Sequence, residues 1–264
     1  MPDWVSGVCE TNGIDLHYTR TGGSKPPVIL LHGLAADGLT WTSLARALEE
    51  DYDLIMPDAR GHGTSSAPDC GYRYQDHARD VIGLIRALDL PRPILVGHSM
   101  GGMTAAVVAG SAPELLRGLV LADPSFLTPE RQREVRDSDA ADQHRRTLAR
   151  SFDQVLADLR ARHRDRPSET LELTARARLR TSLSAFDVLT PPYPDYLDLV
   201  GRIGVPCQLI IAGSGVVTET AAAELQGINP RLQVRCIPEA GHGLHYDRPE
   251  DFAALVKSFL RSIA

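Results

Sequence analysis

The sequence has 264 residues, of which 43% are hydrophobic, and this length suits one large core with an insertion better than several small domains. The formal net charge is -6 and no basic stripe with interleaved aromatic residues occurs, so nucleic acids and anionic membrane surfaces are poor candidates as partners. We therefore expect a small, neutral substrate, and we leave open whether the chain forms a homodimer. No run approaches the ~18 apolar residues that span a bilayer, and residues 1–7 lack a signal-peptide pattern, so we expect an unexported, cytoplasmic protein.

The four cysteines, which are Cys9, Cys70, Cys207 and Cys236, lie far apart in the sequence. This spacing lacks the close pairs of a zinc site or a redox motif, and we expect reduced thiols in the core. The sequence has no cluster with metal-ligand spacing and no glycine loop that would cradle a phosphate. It therefore implies neither a metal nor another cofactor.

The chain begins with a predicted hairpin. Residues 5–10 and 14–20 have strand character and flank Asn12-Gly13, a dipeptide typical of two-residue hairpin turns. Residues 28–31 form a short, wholly apolar run, which is typical of a strand covered on both faces. The next predicted elements are a helix over 40–49, a strand over 52–56, a glycine-rich loop over 57–65 and a helix over 75–88.

The pentapeptide Gly97-His98-Ser99-Met100-Gly101 follows the apolar run 93–96 and precedes an apolar segment over 102–109. A serine flanked by small residues between a strand and a helix is typical of a nucleophile elbow. The glycines allow a sharp turn, which places the Ser99 hydroxyl beyond the sheet edge and beside the N-terminus of the following helix. We therefore predict that Ser99 is a nucleophile, and that the oxyanion formed when it attacks a substrate lies next to unpaired N–H groups.

Strand character returns at residues 118–122, and then the pattern changes. Residues 125–204 are rich in arginine and acidic residues, with helical spacing over 143–162 and 169–183 and no strand-like run. We interpret them as a helical insertion with a solvated, mixed-charge face, within a core of residues 1–124 and 205–264. The remaining predicted elements are a strand over 206–212, a helix over 218–225, a strand over 232–237 and a helix over 249–260.

The alternation of strands and helices predicts an α/β fold, with a mostly parallel sheet that has helices on both faces and binds ligands at the carboxyl ends of its strands. His242, in Gly241-His242-Gly243, follows the last strand, so its imidazole should lie at the same sheet edge as Ser99 and act as the base. His98 and His245 are the alternatives. We expect His98 to point away from its neighbour Ser99, and His245 to pack or to line the entrance.

The elbow, the His32-Gly33 turn, the loop over 58–65 and Gly241-His242-Gly243 together resemble the α/β-hydrolase superfamily. The resemblance covers nearly the whole chain apart from the insertion. It implies that the insertion is a cap domain over the active site. It also implies an oxyanion hole formed by the backbone N–H groups of Leu34 and Met100.

The acid of the triad is where the sequence departs from the commonest pattern of the superfamily. In most relatives the acid follows the seventh strand, whereas residues 212–218 hold no carboxylate and Ser214 stands in its place. Asp123 ends the strand next to the elbow strand and should point into the same crevice, so we assign it as the partner of His242. This arrangement resembles haloalkane dehalogenases and zearalenone-type lactonases. The alternative is that Glu219 serves as the acid and Asp123 is a capping residue.

Five residues near the predicted oxyanion hole and nucleophile are expected to line the substrate pocket, namely His32, Gly33, Asp37, Trp41 and His98. Packing in the core is an equal alternative for Trp41. Asp58 also ends a strand, but its setting resembles a structural loop of the superfamily. We therefore expect Asp58 to brace that loop.

The predicted triad of Ser99, Asp123 and His242 favours a serine hydrolase that cleaves a carboxylic ester or a lactone. Serine at the elbow, where dehalogenases have aspartate, argues against halide displacement. Hydrolysis of a carbon–carbon bond in a diketone is an alternative reaction, since similar hydrolases use the same triad. A ligand-binding receptor of this fold with very slow turnover is the alternative outside the enzymes.

Overall fold

One sheet of eight strands runs through the computed structural model, which describes residues 4–263. The strands in chain order are β1 (Val5–Thr11), β2 (Ile14–Arg20), β3 (Pro27–Leu31), β4 (Asp53–Pro57), β5 (Ile94–His98), β6 (Gly118–Ala122), β7 (Cys207–Ser214) and β8 (Leu232–Gly241). Their order across the sheet is β1-β2-β4-β3-β5-β6-β7-β8. Strands β1 and β2 run antiparallel to their neighbours and β3 to β8 are parallel, so the predicted mostly parallel sheet is confirmed.

From β3 to β8 the helices alternate with the strands, except in the insertion. In chain order they are α1 (Thr42–Leu48), α2 (Tyr74–Ala87), α3 (Met100–Ser111), α4 (Pro129–Arg136), α5 (Ala140–Leu148), α6 (Phe152–Arg162), α7 (Ser168–Leu179), α8 (Tyr196–Arg202), α9 (Glu219–Ile228), α10 (Leu244–Asp247) and α11 (Pro249–Ser262). Short 3₁₀ turns lie at Gly38–Trp41, Pro113–Leu115 and Leu183–Leu189.

The sheet separates two apolar layers. Along β3, Val28 and Leu30 pack in the layer that contains α1 and α11. Ile29 and Leu31 pack in the opposite layer, which contains α2 and α3. All four side chains are buried because a strand that is covered on both faces has no solvent side. Helices therefore cover both faces of the sheet, as predicted.

The amino-terminal hairpin forms around the predicted dipeptide. Asn12 and Gly13 both have positive φ, at 48° and 75°, which is the backbone that a two-residue type I′ turn requires. The turn pairs β1 with β2 in register from Val5 opposite Arg20 to Thr11 opposite Ile14. These strands extend the sheet on the side away from β8.

The insertion contains more helices than its spacing predicts. The helical spacing over 143–162 corresponds to two helices, because α5 ends at Leu148 and α6 begins at Phe152. Ser151 causes this break, since its hydroxyl accepts the N–H of Gln154 while the Gln154 side chain accepts the N–H of Ser151. This capping box starts a new helix in the middle of the periodic pattern.

The helices of the insertion pack in two separate places. Helices α6 and α7 share their own apolar cluster, which contains Leu156, Leu159, Leu171 and Ala175. Helix α8 instead packs against α3, with Val200 fully buried in the main core. The last helix of the segment 125–204 therefore shares the core of the sheet domain.

The described residues also bear on membranes and thiols. Within residues 4–263, no helix is both long enough and apolar enough to cross a bilayer. The cysteines are free, and Cys207 is buried whereas Cys70 is exposed on a loop, so the prediction of core thiols holds for Cys207 and fails for Cys70.

Candidate active site

Ser99 lies at the tip of the turn between β5 and α3. Its φ of 53° and ψ of -115° are a strained backbone for a residue with a side chain. The turn is tight enough that a Cβ at Gly97 would collide with the carbonyl of Gly101, and a Cβ at Gly101 would collide with the carbonyl of Leu31. Glycine at both positions therefore allows the elbow to form.

Ser99, His242 and Asp123 form one chain of hydrogen bonds. The Ser99 hydroxyl lies 2.9 Å from His242 Nε2 and donates to it. On the other side of the ring, Nδ1–H donates to Asp123 Oδ2 at 2.6 Å. The three side chains come from the carboxyl ends of β5, β8 and β6, so the parallel sheet brings together residues that are far apart in sequence.

The Asp123 carboxylate is fully buried and held by the backbone after β7. Its oxygens accept the N–H groups of Val216, at 2.8 and 3.0 Å, and Val217, at 2.9 Å. Gly215 lies so close that a Cβ there would sit 2.6 Å from both oxygens. Residues 212–218, which contain no carboxylate, therefore supply hydrogen-bond donors to Asp123 at the end of β6.

Glu219, the alternative acid, lies outside this arrangement. It is the first residue of α9 and its side chain is exposed. It lines a surface groove with Cys236, away from the cleft that contains Ser99.

Two backbone N–H groups are available beside Ser99. Met100 is the first residue of α3, where an N–H has no partner within the helix, and Leu34 lines the same cleft as Ser99. Within residues 4–263, neither N–H donates a hydrogen bond. Both groups can therefore donate to an oxyanion.

The turn that carries Leu34 is braced by the loop over 58–65. Asp58 accepts the N–H groups of Gly38 and Thr64, at 2.8 and 3.0 Å. His62 accepts the N–H of Ala35 at 3.2 Å. Asp58 thus has the bracing position expected for it.

The side chain of His98 contacts the loop of His242 and makes no hydrogen bond to Ser99. Its Nε2–H donates to the carbonyl oxygen of His242 at 2.8 Å. Burial, together with the nearby charge of His242, lowers the pKa of His98 to about 3, so the ring stays neutral. His98 therefore positions the loop that carries His242.

His245 stacks on Trp41 in the core. Packing was one of the two roles expected for it.

The cleft above Ser99 has a volume of about 570 Å³. The core contributes Gly33, Leu34, Ala35, Ala36, His98, Ser99, Gly241, His242, Gly243, Tyr246 and Asp247, and the insertion contributes His163, Arg166, Thr174 and Arg178. The insertion therefore forms one wall of the cleft that contains Ser99.

Three residues predicted for the pocket do not line this cleft, which corrects the prediction. His32 is buried beneath it, where its Nδ1–H donates to the Gly33 carbonyl and its Nε2 accepts the N–H of Ala59. Trp41 is 1% exposed and stacks on Phe252, because the 3₁₀ turn before α1 rotates it into the core. Asp37 faces a different cavity.

That second cavity has a volume of about 690 Å³ and lies on the other side of α7. Asp37 lines it together with Arg46 and Arg180. Burial, with a further contribution from the charge of Asp58, raises the pKa of Asp37 from 3.8 to about 7.

Several residues beside Ser99 or in the cleft carried no signal in the sequence. Ser125 Oγ lies 3.3 Å from Ser99 Oγ, and the Ser125 N–H donates to the Ser99 carbonyl. Arg166 and Arg178 belong to the charged segment that we interpreted as solvated. A helical pattern does not indicate whether its polar face meets solvent or a cleft, so only the path of α7, and of the segment just before it, past the sheet edge identifies these residues.

Several known proteins resemble this chain. The sequence matches the alpha/beta hydrolase fold family over residues 26–249. It is 31% identical over 271 residues to N-formylmaleamate deformylase of Pseudomonas putida, covering 97% of this chain and 96% of that protein. It is 28% identical over 261 residues to 2-(acetamidomethylene)succinate hydrolase of Mesorhizobium japonicum, covering 91% and 90%. A crystal structure of E-2-(acetamidomethylene)succinate hydrolase superimposes with a TM-score of 0.83 at 26% identity, covering 98% of this chain and 99% of that one.

Gly215→Ala tests whether the loop after β7 holds the acid in place. The new Cβ must displace the Asp123 carboxylate, so we expect kcat for hydrolysis to fall about 100-fold, since small misplacements of catalytic groups have effects of this size. Gly227→Ala on α9 is the matched control, because a Cβ there meets no atom within 4 Å. Equal kcat values for the two folded variants would contradict the role of this loop.

Asp37→Asn should change how stability depends on pH. The folded protein holds the Asp37 proton more tightly than the unfolded chain, so this group lowers the free energy of unfolding as pH rises from about 4 to about 7. The variant has no carboxyl group to titrate at this position, so its free energy of unfolding does not fall in this way. The difference in that free energy, variant minus wild type, should rise across this window by a few kcal/mol, on the order of 1.4 kcal/mol for each unit by which the pKa is raised. Urea denaturation at both ends measures it, and a difference that does not vary with pH would contradict the raised pKa.

Proposed function

The chain belongs to the alpha/beta hydrolase family, and we propose that it is a serine hydrolase that cleaves a carboxylic ester or a lactone. The observation that carries the proposal is the unbroken chain of hydrogen bonds from Ser99 through His242 to Asp123. A serine hydroxyl becomes an effective nucleophile when a base in this position takes its proton.

In the proposed mechanism, Ser99 Oγ attacks the acyl carbon while its proton passes to His242 Nε2. In the resulting imidazolium, Nδ1–H still donates its hydrogen bond to Asp123, and the negative charge of that carboxylate stabilises the positive ring. The carbonyl oxygen becomes an oxyanion and accepts the N–H groups of Leu34 and Met100.

The tetrahedral intermediate then collapses and breaks the bond to the leaving oxygen, which takes the proton from His242. A water molecule replaces the leaving group, gives a proton to His242 and attacks the acyl-enzyme. The second collapse returns the proton to Ser99 and releases the acid. In a lactone the leaving oxygen stays on the acyl chain, so the product is a hydroxy acid.

Hydrolysis of an N-acyl bond is a second candidate, and the relatives favour it. The names of the two relatives described above specify N-formylmaleamate and 2-(acetamidomethylene)succinate as substrates, and both names contain an acylated nitrogen. The same triad can cleave such a bond, with His242 giving its proton to the leaving nitrogen. Cleavage of a diketone and slow turnover in a receptor stay open as alternatives.

Replacing Ser99 with alanine is the first test. We expect hydrolysis of a panel of aryl esters, alkyl esters, lactones, N-acyl compounds and diketones to fall by about 10⁴ to 10⁶ in kcat for the preferred class. Ser43→Ala, an exposed position on α1, is the control. A fluorophosphonate should add its mass to wild type and Ser43→Ala and not to Ser99→Ala. Equal labelling or equal rates in all three proteins would contradict the proposal.

Two further variants test which residue is the acid. Asp123→Asn keeps the shape of the side chain but removes the charge that stabilises the imidazolium, so kcat should fall by about 10⁴. Glu219→Gln changes an exposed carboxylate outside the cleft and should stay close to wild type. The reverse result would assign the acid to Glu219.

A further inference from the structure

Helix α7 separates the two cavities and presents a different face to each. Thr174 and Arg178, four residues apart, lie on the face towards the cleft of Ser99. Leu173, Arg176 and Arg180 line the second cavity on the other side. Since residues four apart share one side of a helix, Thr174 and Arg178 act as neighbours in the cleft wall.

Arg178 differs from Arg166, the other arginine of the cleft wall, because, of the two, only Arg166 forms an ion pair within the part of the chain that the structure describes. Arg166 lies 2.8 Å from Asp247 and its guanidinium stacks on Tyr246. Within residues 4–263, Arg178 has no carboxylate within 4.0 Å, and its guanidinium donates no hydrogen bond. Its positive charge is therefore not balanced by the protein.

The surroundings of Arg178 make this lack of a partner unfavourable. The side chain is partly buried, and burial together with the charges of Arg162 and Arg166 lowers the pKa of its guanidinium. A guanidinium stays protonated in proteins even so, and its five N–H groups need acceptors. An anion in the cleft would supply both the charge and the acceptors.

We propose that the substrate carries a carboxylate group, which Arg178 binds while Ser99 attacks the acyl group. A guanidinium forms two parallel N–H···O bonds with either a carboxylate or a phosphate. A carboxylate fits better here because its single negative charge matches one unpaired guanidinium, whereas a phosphate monoester carries nearly two charges at neutral pH. This inference rests on the proposed acyl hydrolysis. It replaces the neutral substrate expected from the net charge with an acidic one, because the charge inside the cleft differs from that of the whole chain.

The test compares two esters that differ at one group. 4-Nitrophenyl hemisuccinate carries a carboxylate at the end of its acyl chain, and 4-nitrophenyl levulinate has a methyl ketone in that place. We expect wild type to favour the hemisuccinate by about tenfold or more in kcat/KM, the scale of a hydrogen bond between charged groups. The rate with Ser99→Ala is subtracted, because the free carboxylate accelerates uncatalysed hydrolysis of the hemisuccinate.

Arg178→Gln should abolish this preference, and Arg178→Lys should keep part of it, since lysine retains the charge without the planar fork. Arg176→Gln is the matched control, because Arg176 lies on the same helix with its guanidinium over Phe152 on the opposite face. Its preference should equal that of wild type. Raising the salt concentration should weaken the preference of wild type.

The outcomes separate the two proposals. Hydrolysis of both esters that depends on Ser99 but shows no preference, or a preference that Arg178→Gln retains, would overturn the carboxylate inference and leave acyl hydrolysis intact. Hydrolysis of neither ester would count against acyl hydrolysis itself.

An inhibition assay on wild type covers the case in which the Arg178 variants fail to fold. Succinate should compete with the hemisuccinate, and inorganic phosphate should compete less. Stronger inhibition by phosphate, or none by succinate, would overturn the carboxylate inference.

Discussion

The candidate site depends on one carboxylate that has no access to water. Asp123 is 0% exposed, and a buried charge is tolerated only when hydrogen bonds replace its hydration. Two backbone N–H groups and the imidazole of His242 supply these bonds. The bond from His242 also orients its ring so that Nε2 faces Ser99. One set of hydrogen bonds therefore both allows Asp123 to be buried and orients His242.

The sheet makes this arrangement achievable with short local segments. Because β5 to β8 are neighbouring parallel strands, each loop at their carboxyl ends reaches the same place with only a few residues. The strained turn at Ser99, the loop of Val216 and Val217 and the loop of His242 each lie within a few residues of the end of a strand. The side chains of the Ser99–His242–Asp123 chain all come from the core, and the insertion adds one wall to the cleft.

The sequence was informative where function follows from position along the chain. Ser99 and His242 could be placed because each comes soon after a predicted strand, and the β3 pattern indicated burial on both faces. Trp41 could not be assigned, since its distance from Leu34 in sequence does not indicate the rotation of the 3₁₀ turn between them. Arg178 could not be recognised because its role depends on where α7 crosses the core, and the amphipathic pattern of a helix is the same beside water as beside a cleft.

The support of Asp123 by main-chain donors has a consequence for sequence drift. An acid that was itself placed after β7 would fix the residue type at its position, whereas every residue except proline has an N–H group. The half-exposed side chain of Val216 is therefore free to change among related chains without loss of a partner to the carboxylate. In this part of the fold, selection would be visible as the exclusion of proline from position 216 and as the retention of glycine at 215.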